Sequence, residues 1–304
     1  MDHNLALVLG GGGSAGQAWQ VGVIAGLAEA GLDLTEAADL VIGTSAGSTT
    51  AAYVRSGIPA AELLAMVLSP PVRPAGQDRP LPPPPPMTAL FERLRAIGAA
   101  ATSGEDMRRA LGAFGLESDA ALGPEMAAQR RAQVASRLPH PDWPDRPMIV
   151  VAVNAHTGEL AAFDRDSGVD LVDAVTASTA LPGGAPTHNI NGTHYVNGGV
   201  RSAENADLAS GFATVVVLSP FGGRTGPLPE GQFEGLRREP EWGTDLDSQV
   251  EALRRQGSRV ELITPDTDSV AATGTNQMDL ATRVPSARAG YAQGKREAGR
   301  VTFA

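Results

Sequence analysis

The sequence predicts one α/β domain built on a central, mostly parallel sheet flanked by helices. Three observations carry this. Short apolar runs at residues 5–9 and 40–42 each lead into a glycine-containing turn and then a stretch of helical spacing. Apolar runs of strand length return after residue 147 and alternate with helical stretches, the pattern of a sheet covered on both faces. With 304 residues, 42% hydrophobic and 19% charged, the chain can bury one large core, and no shift in composition divides it in two.

Taken in order, Leu5-Ala6-Leu7-Val8-Leu9 reads as a buried parallel strand. After Gly10-Gly11-Gly12-Gly13, residues 17–30 place Trp19, Val23, Ile24 and Leu27 at helical spacing and stop before Gly31. Residues 39–42 form a second strand, followed by a turn that holds Ser45 and a helix over 46–55 ending at Ser56-Gly57. Ile58-Pro59 opens another helix that runs to residue 68. From 69 to 147 the character changes. Pro70-Pro71, Pro80 and the proline run 82–86 favour polyproline II and exclude regular sheet, and helices are expected only at 105–116 and 124–138. This stretch is expected to be a proline-rich helical cap inserted into a single domain spanning 1–304. Strands are expected at 148–153, 160–163, 193–196, 214–218 and 260–263, with helices at 169–178, 245–256 and 284–300.

Bulk properties exclude several function classes. A net charge of −10 and a pI near 5.0 argue against nucleic acid as a partner and against electrostatic docking on anionic lipid. Any membrane contact would be transient and apolar. There is no cysteine, hence no disulfide framework and no thiolate metal site. Residues 1–4 lack the basic region of a signal peptide, and 5–9 is too short for its apolar core or for a membrane span, so a cytoplasmic location is expected. The sequence does not set the oligomeric state.

The chemistry is concentrated in two glycine-rich turns. Gly43-Thr44-Ser45-Ala46-Gly47 follows a strand and opens a helix, and small flanking residues let a serine hydroxyl stand clear at such a turn. The bland alternative for Ser45 is a helix N-cap. A serine hydroxyl needs a base, yet none of His140, His156, His188 or His194 lies in a supporting context. The glycine tract could cradle phosphate, since it too follows a strand and opens a helix. It lacks the Gly-Lys-Ser/Thr ending of a P-loop, and Gly11, Gly13 and Gly16 meet the dinucleotide fingerprint only as a lone match. An oxyanion hole is the favoured reading because the Ser45 turn supplies a use for its amides.

Four blocks carry a family resemblance: Gly10 to Gly16, Gly43 to Gly47, Ala177-Ser178-Thr179-Ala180-Leu181-Pro182-Gly183, and Tyr195-Val196-Asn197-Gly198-Gly199 with Asn205-Ala206-Asp207 after it. In that order they resemble the patatin-like phospholipases, lipid acyl hydrolases that use a Ser-Asp dyad without histidine. The resemblance implies a patatin-like fold and Ser45 as nucleophile, with position 197 as base and the amides of Gly11, Gly12 and Gly13 as oxyanion hole. Gly10, Gly16, Gly43, Gly47, Gly198 and Gly199 would shape the turns. An acyl ester or lipid would be cleaved through an acyl-enzyme, with no cofactor and no metal, and a different acceptor would make the same site an acyltransferase.

Two departures stand out. The family usually has Arg or Lys where Ala15 stands, and the position of the dyad aspartate is Asn197. An amide can hold the serine but cannot take its proton. The chain is therefore expected to be an impaired, substrate-trapping variant, or else a lipid-binding relative that does not cleave.

Overall fold

The computed structural model describes residues 4–69, 87–222 and 235–301. The proline run 82–86 falls outside them. The first half of the chain contains β1 (Leu5–Leu9), α1 (Gly13–Glu29), the single turn α2 (Leu34–Ala37), β2 (Leu40–Thr44), α3 (Ala46–Val54) and α4 (Ala60–Leu68). Three helices follow, α5 (Thr88–Ala100), α6 (Gly104–Leu122) and α7 (Pro124–Ala135). The second half has β3 (Met148–Asn154), β4 (Leu160–Phe163), α8 (Leu171–Ser178), β5 (His188–Ile190), β6 (Thr193–Asn197), β7 (Thr214–Leu218), α9 (Leu246–Arg255), β8 (Arg259–Ile263), α10 (Thr267–Thr273) and α11 (Arg283–Glu297).

The sheet order is β5-β6-β3-β2-β1-β7-β8, with β4 also on β3. The five strands β3-β2-β1-β7-β8 are parallel, whereas β4 and β6 run antiparallel to β3, and β5 antiparallel to β6. The expected mostly parallel sheet is therefore a parallel centre with an antiparallel flank. β5 has no sequence signature, because three residues are too few for a period-2 pattern. The Asn191-Gly192 turn joins it to β6 with φ of 52° and 86°, the double positive φ that a two-residue hairpin requires.

Alternation along β1 divides the core between the two faces of the sheet. Leu5, Leu7 and Leu9 pack with Trp19, Val23, Ile24 and Leu27 of α1, while Ala6 and Val8 pack with Val250 and Leu253 of α9. Helix α1 is buried from Ala15 to Leu27 because α11 covers its outer side. The two helices meet through glycines. A Cβ on Gly22 would lie 2.2 Å from Ala287 O, one on Gly26 2.2 Å from Tyr291 O, one on Gly290 2.3 Å from Trp19 O, and one on Gly294 2.3 Å from Val23 O. The backbones touch, which fixes where the first glycine turn points.

Helices α5 and α6 bring Phe91, Leu94, Met107 and Leu111 onto Val153, Val196 and Val200, so these two helices rest on the strand that ends at Asn197. No described helix is long and apolar enough to cross a membrane.

Candidate active site

Register along β3 brings the two halves of the site together. Thr44, the last residue of β2, pairs with Val151, and Asn197, the last of β6, pairs with the next residue, Ala152. Ser45 and Asn197 are separated by 152 positions in sequence, yet Asn197 Nδ2 lies 2.9 Å from Ser45 Oγ.

Ser45 adopts φ 55° and ψ −122°, a conformation that costs an ordinary residue of order 1–3 kcal/mol. Its surroundings impose it. A Cβ on Gly47 would lie 1.9 Å from Leu9 O, and one on Gly43 2.6 Å from Gly47 O, so only glycines allow β1, β2 and α3 to close so tightly around the serine. The Ser45 N–H donates to Ser178 Oγ at 2.9 Å, and the Asn197 N–H to Ala180 O at 2.9 Å. One segment thus holds both partners, which gives the block 177–183 its physical role.

The orientation of the Asn197 side chain follows from its second bond. Gly199 N–H donates to Asn197 Oδ1 at 2.8 Å, so the amide nitrogen must face the serine. Ser45 Oγ is consequently an acceptor here, the polarity opposite to the one that removes its proton. Asn197 is 6% exposed, which leaves little water to serve instead.

The glycine turn passes against the serine: a Cβ on Gly11 would lie 3.3 Å from Ser45 Cβ. Of the three amides expected as oxyanion donors, that of Gly11 is committed, donating to Ala203 O at 2.8 Å. This corrects the expectation for Gly11, which anchors the turn. Among the described residues the N–H groups of Gly12 and Gly13, at the free end of α1, have no partner. Gly10 N–H is held by Leu218 O at 3.0 Å, and Gly16 N–H continues the helix to Gly12 O. Ala15 is buried, with its N–H on Gln277 O.

Sequence reasoning missed several supports. Gln20, fully buried in α1, donates to Gly10 O at 2.8 Å and accepts from Thr50 Oγ1 at 2.8 Å, tying the glycine turn to α3. Asn205, in a left-handed conformation, donates to Thr44 Oγ1 at 3.0 Å and to Ser202 O at 2.8 Å. Arg238 caps the turn after Asn197 by donating to Gly199 O and to Arg201 O, and burial pulls its pKa down to about 10. A lone amide in an apolar helix was the readable signal for Gln20; the other two roles come from folding alone.

Three of the four histidines have partners elsewhere, and the fourth, His140, is exposed. His188 Nε2 lies 2.8 Å from Asp173 Oδ1, which also takes Arg131, and His194 Nδ1 lies 2.7 Å from Thr187 Oγ1. His156 stands edge-on to His194. The hydroxyl of Ser45 meets an amide, not an imidazole. Among the described residues no group of His, Asp or Glu is arranged to hold a metal.

Glu204 is a buried carboxyl under the glycine turn, accepting from Ser219 Oγ at 2.6 Å. Burial raises its pKa above the ordinary 4.5, against the opposing pull of Ser219 and Arg238. Ionising it therefore costs more in the folded state, and the stability it contributes declines as pH climbs from the ordinary value toward the raised one. Glu204→Gln removes that penalty. The melting temperature of the variant minus that of the parent chain is expected to grow from pH 4.5 upward, and a constant or shrinking difference would count against the assignment.

A family comparison matches residues 7–210, which is 204 of 304 residues, to Patatin-like phospholipase. The chain belongs to that family. Among solved structures it is similar to VipD from Legionella pneumophila, at 13% identity and a TM-score of 0.43, over 97% of this chain and 66% of that one. It is also similar to the type III effector protein ExoU, at 16% identity and a TM-score of 0.36, over 97% of this chain and 53% of that one. The chain thus spans about two thirds and about half of their lengths. No curated protein matches it.

Proposed function

We propose that this patatin-family chain is built as a serine-dependent acyl-ester hydrolase of lipids, with Ser45 as nucleophile and position 197 as the seat of its base. The observation that carries the reading is the 2.9 Å approach of the Asn197 side chain to Ser45 Oγ at the ends of β6 and β2, the two strands that flank β3. An aspartate oxygen in the place of Nδ2 would accept the serine proton while Gly199 N–H held its other oxygen. The free amides of Gly12 and Gly13 are the proposed donors to the tetrahedral oxyanion, and the N-terminus of α3 favours negative charge at the same point. Water would release the acyl group; another acceptor would make the site an acyltransferase.

With asparagine at 197, the chain keeps nucleophile and hole and lacks the base, which supports an impaired, substrate-holding state. The helices of 69–147 are proposed as a cap, supported by the packing of α5 and α6 on Val196 and Val200. A fluorophosphonate probe with peptide mapping tests the nucleophile. Covalent label on Ser45 in the Asn197→Asp protein, absent after a further Ser45→Ala change, is the expected result. Absence of label in the Asn197→Asp protein would instead favour a lipid-binding relative that does not cleave.

A further inference from the structure

We propose that Gln277 is a specificity residue of the site, reading a free hydroxyl on the alcohol half of the ester beside the oxyanion turn. This rests on the hydrolase reading and deepens it. Gln277 belongs to the segment between α10 and α11, and that segment braces the glycine turn. Gln277 O accepts from the Ala15 N–H at 2.9 Å, and a Cβ on Gly13 would lie 3.2 Å from Gln277 Cγ. The side chain therefore lies against one of the two glycines whose amides are the proposed oxyanion donors.

An unused hydrogen-bonding group sets this residue apart. Among the described residues five glutamines are buried, and four of them are tied down. Gln17 Oε1 accepts from Arg283 at 2.9 Å, Gln20 Oε1 from Thr50 Oγ1 at 2.8 Å, Gln249 Oε1 from the Ala206 N–H at 3.0 Å, and Gln293 Oε1 from Trp19 Nε1 at 3.0 Å. Gln277 is as deeply buried, 3% exposed, yet its Oε1 has no hydrogen-bond partner among the described residues. A buried acceptor without a donor is costly, and a donor carried by a ligand removes that cost.

Gln277 lines a small cavity together with Gly12, Trp19, Pro220, Pro265 and Thr273. Gly12 is the other proposed oxyanion donor, so a group seated in the cavity adjoins the reacting carbonyl. The space holds about one water-sized group, which excludes an acyl chain and admits a hydroxyl. The lining also calls for a donor. Thr273 Oγ1 gives its proton to Ser269 O at 3.0 Å and can then only accept, and Trp19 Nε1 is spent on Gln293 Oε1. A hydroxyl donates to an amide oxygen and accepts from an amide nitrogen, so it matches either end of Gln277, whereas an ether leaves Oε1 unpaired. In lipid esters the hydroxyls stand on the alcohol side. The substrate class that fits is an ester whose alcohol keeps one hydroxyl free.

Ligand-observed NMR titration of the full chain with ethylene glycol monooctanoate, and separately with its methyl ether, tests this, because the two esters differ only in whether the hydroxyl is capped. The hydroxy ester is expected to bind about tenfold tighter, the discrimination that one buried hydrogen bond supplies. Gln277→Leu should bring the ratio of affinities close to unity, and Gln277→Met serves as the second variant where leucine does not fold. No binding of the hydroxy ester, equal affinities for the two esters in the unsubstituted chain, or an undiminished ratio in a folded variant overturns the proposal. A variant that weakens both esters alike and keeps the ratio marks Gln277 as a merely structural brace. The titration needs no turnover, so its failure is separable from that of the hydrolase reading. Fluorophosphonate label on Ser45 in the Asn197→Asp protein, without a hydroxyl preference, refutes the Gln277 assignment alone, whereas absence of label counts against the hydrolase whatever the ratio.

Discussion

Replacing Asn197 by aspartate is expected to raise acyl-ester turnover by about ten-thousandfold, the cost of the reverse change in a serine protease triad. There the aspartate only orients a histidine; at position 197 it would be the base itself, so the analogy sets a lower bound. In the present chain the amide donates to Ser45 Oγ, and the Gly199 bond prevents it from turning over. A carboxylate reverses the polarity without moving an atom of the backbone. Activity should then depend on the ionised acid. The Gly199 N–H and the Ser45 hydroxyl stabilise the carboxylate and burial opposes it, so turnover should hold at neutral pH and fall as pH drops through the pKa of the acid. The measurement is kcat on a panel of short and long acyl esters across pH, with the Ser45→Ala form of the same protein as the blank. An Asn197→Asp protein no faster than its parent on every ester would sink the reading of position 197.

The sequence made the chain order of the site legible because its turns demand small residues. Gly43 and Gly47 stand where added atoms would meet backbone at 2.6 Å and 1.9 Å, and the amide-for-carboxylate exchange at Asn197 could be read directly. Strands β1 and β7 coincide with their predicted limits, since buried runs bounded by turns leave few alternatives. What stayed hidden depends on contacts distant in sequence. Gly11 reads as an oxyanion donor until the turn at Ala203 arrives to take its N–H. The role of Ser178 exists only once α8 is packed beneath the Ser45 turn. Helix α5 is hard to read from sequence because a proline run precedes it and its apolar face is narrow, with only Phe91 and Leu94 buried.

The glycine contact between α1 and α11 is expected to tolerate no added methyl group. Gly290→Ala adds one methyl group, and an exposed helical position would gain up to about 1 kcal/mol from that change. Here the methyl would have to occupy space 2.3 Å from Trp19 O, a backbone atom in the middle of a buried helix. Only separation of the helices relieves the clash, and it would open contacts along Gly22, Gly26 and Gly294 together. Overpacking of this kind costs about 1–3 kcal/mol in side-chain cores, and a backbone obstacle places the cost at or above the upper end. Gly98→Ala in α5 is the matched control, because its methyl would meet only Met107 Sδ at 3.6 Å, an ordinary contact. Denaturant unfolding should therefore move in opposite directions for the two variants, down for Gly290→Ala and level or up for Gly98→Ala. A Gly290→Ala protein as stable as its parent would mean that the two helices do not pack backbone to backbone. Because α1 carries the free amides of Gly12 and Gly13 at its start, a tolerated Gly290→Ala protein should still lose acyl-ester turnover in the Asn197→Asp background. Helix separation of even a fraction of an ångström would displace the proposed donors from the oxyanion.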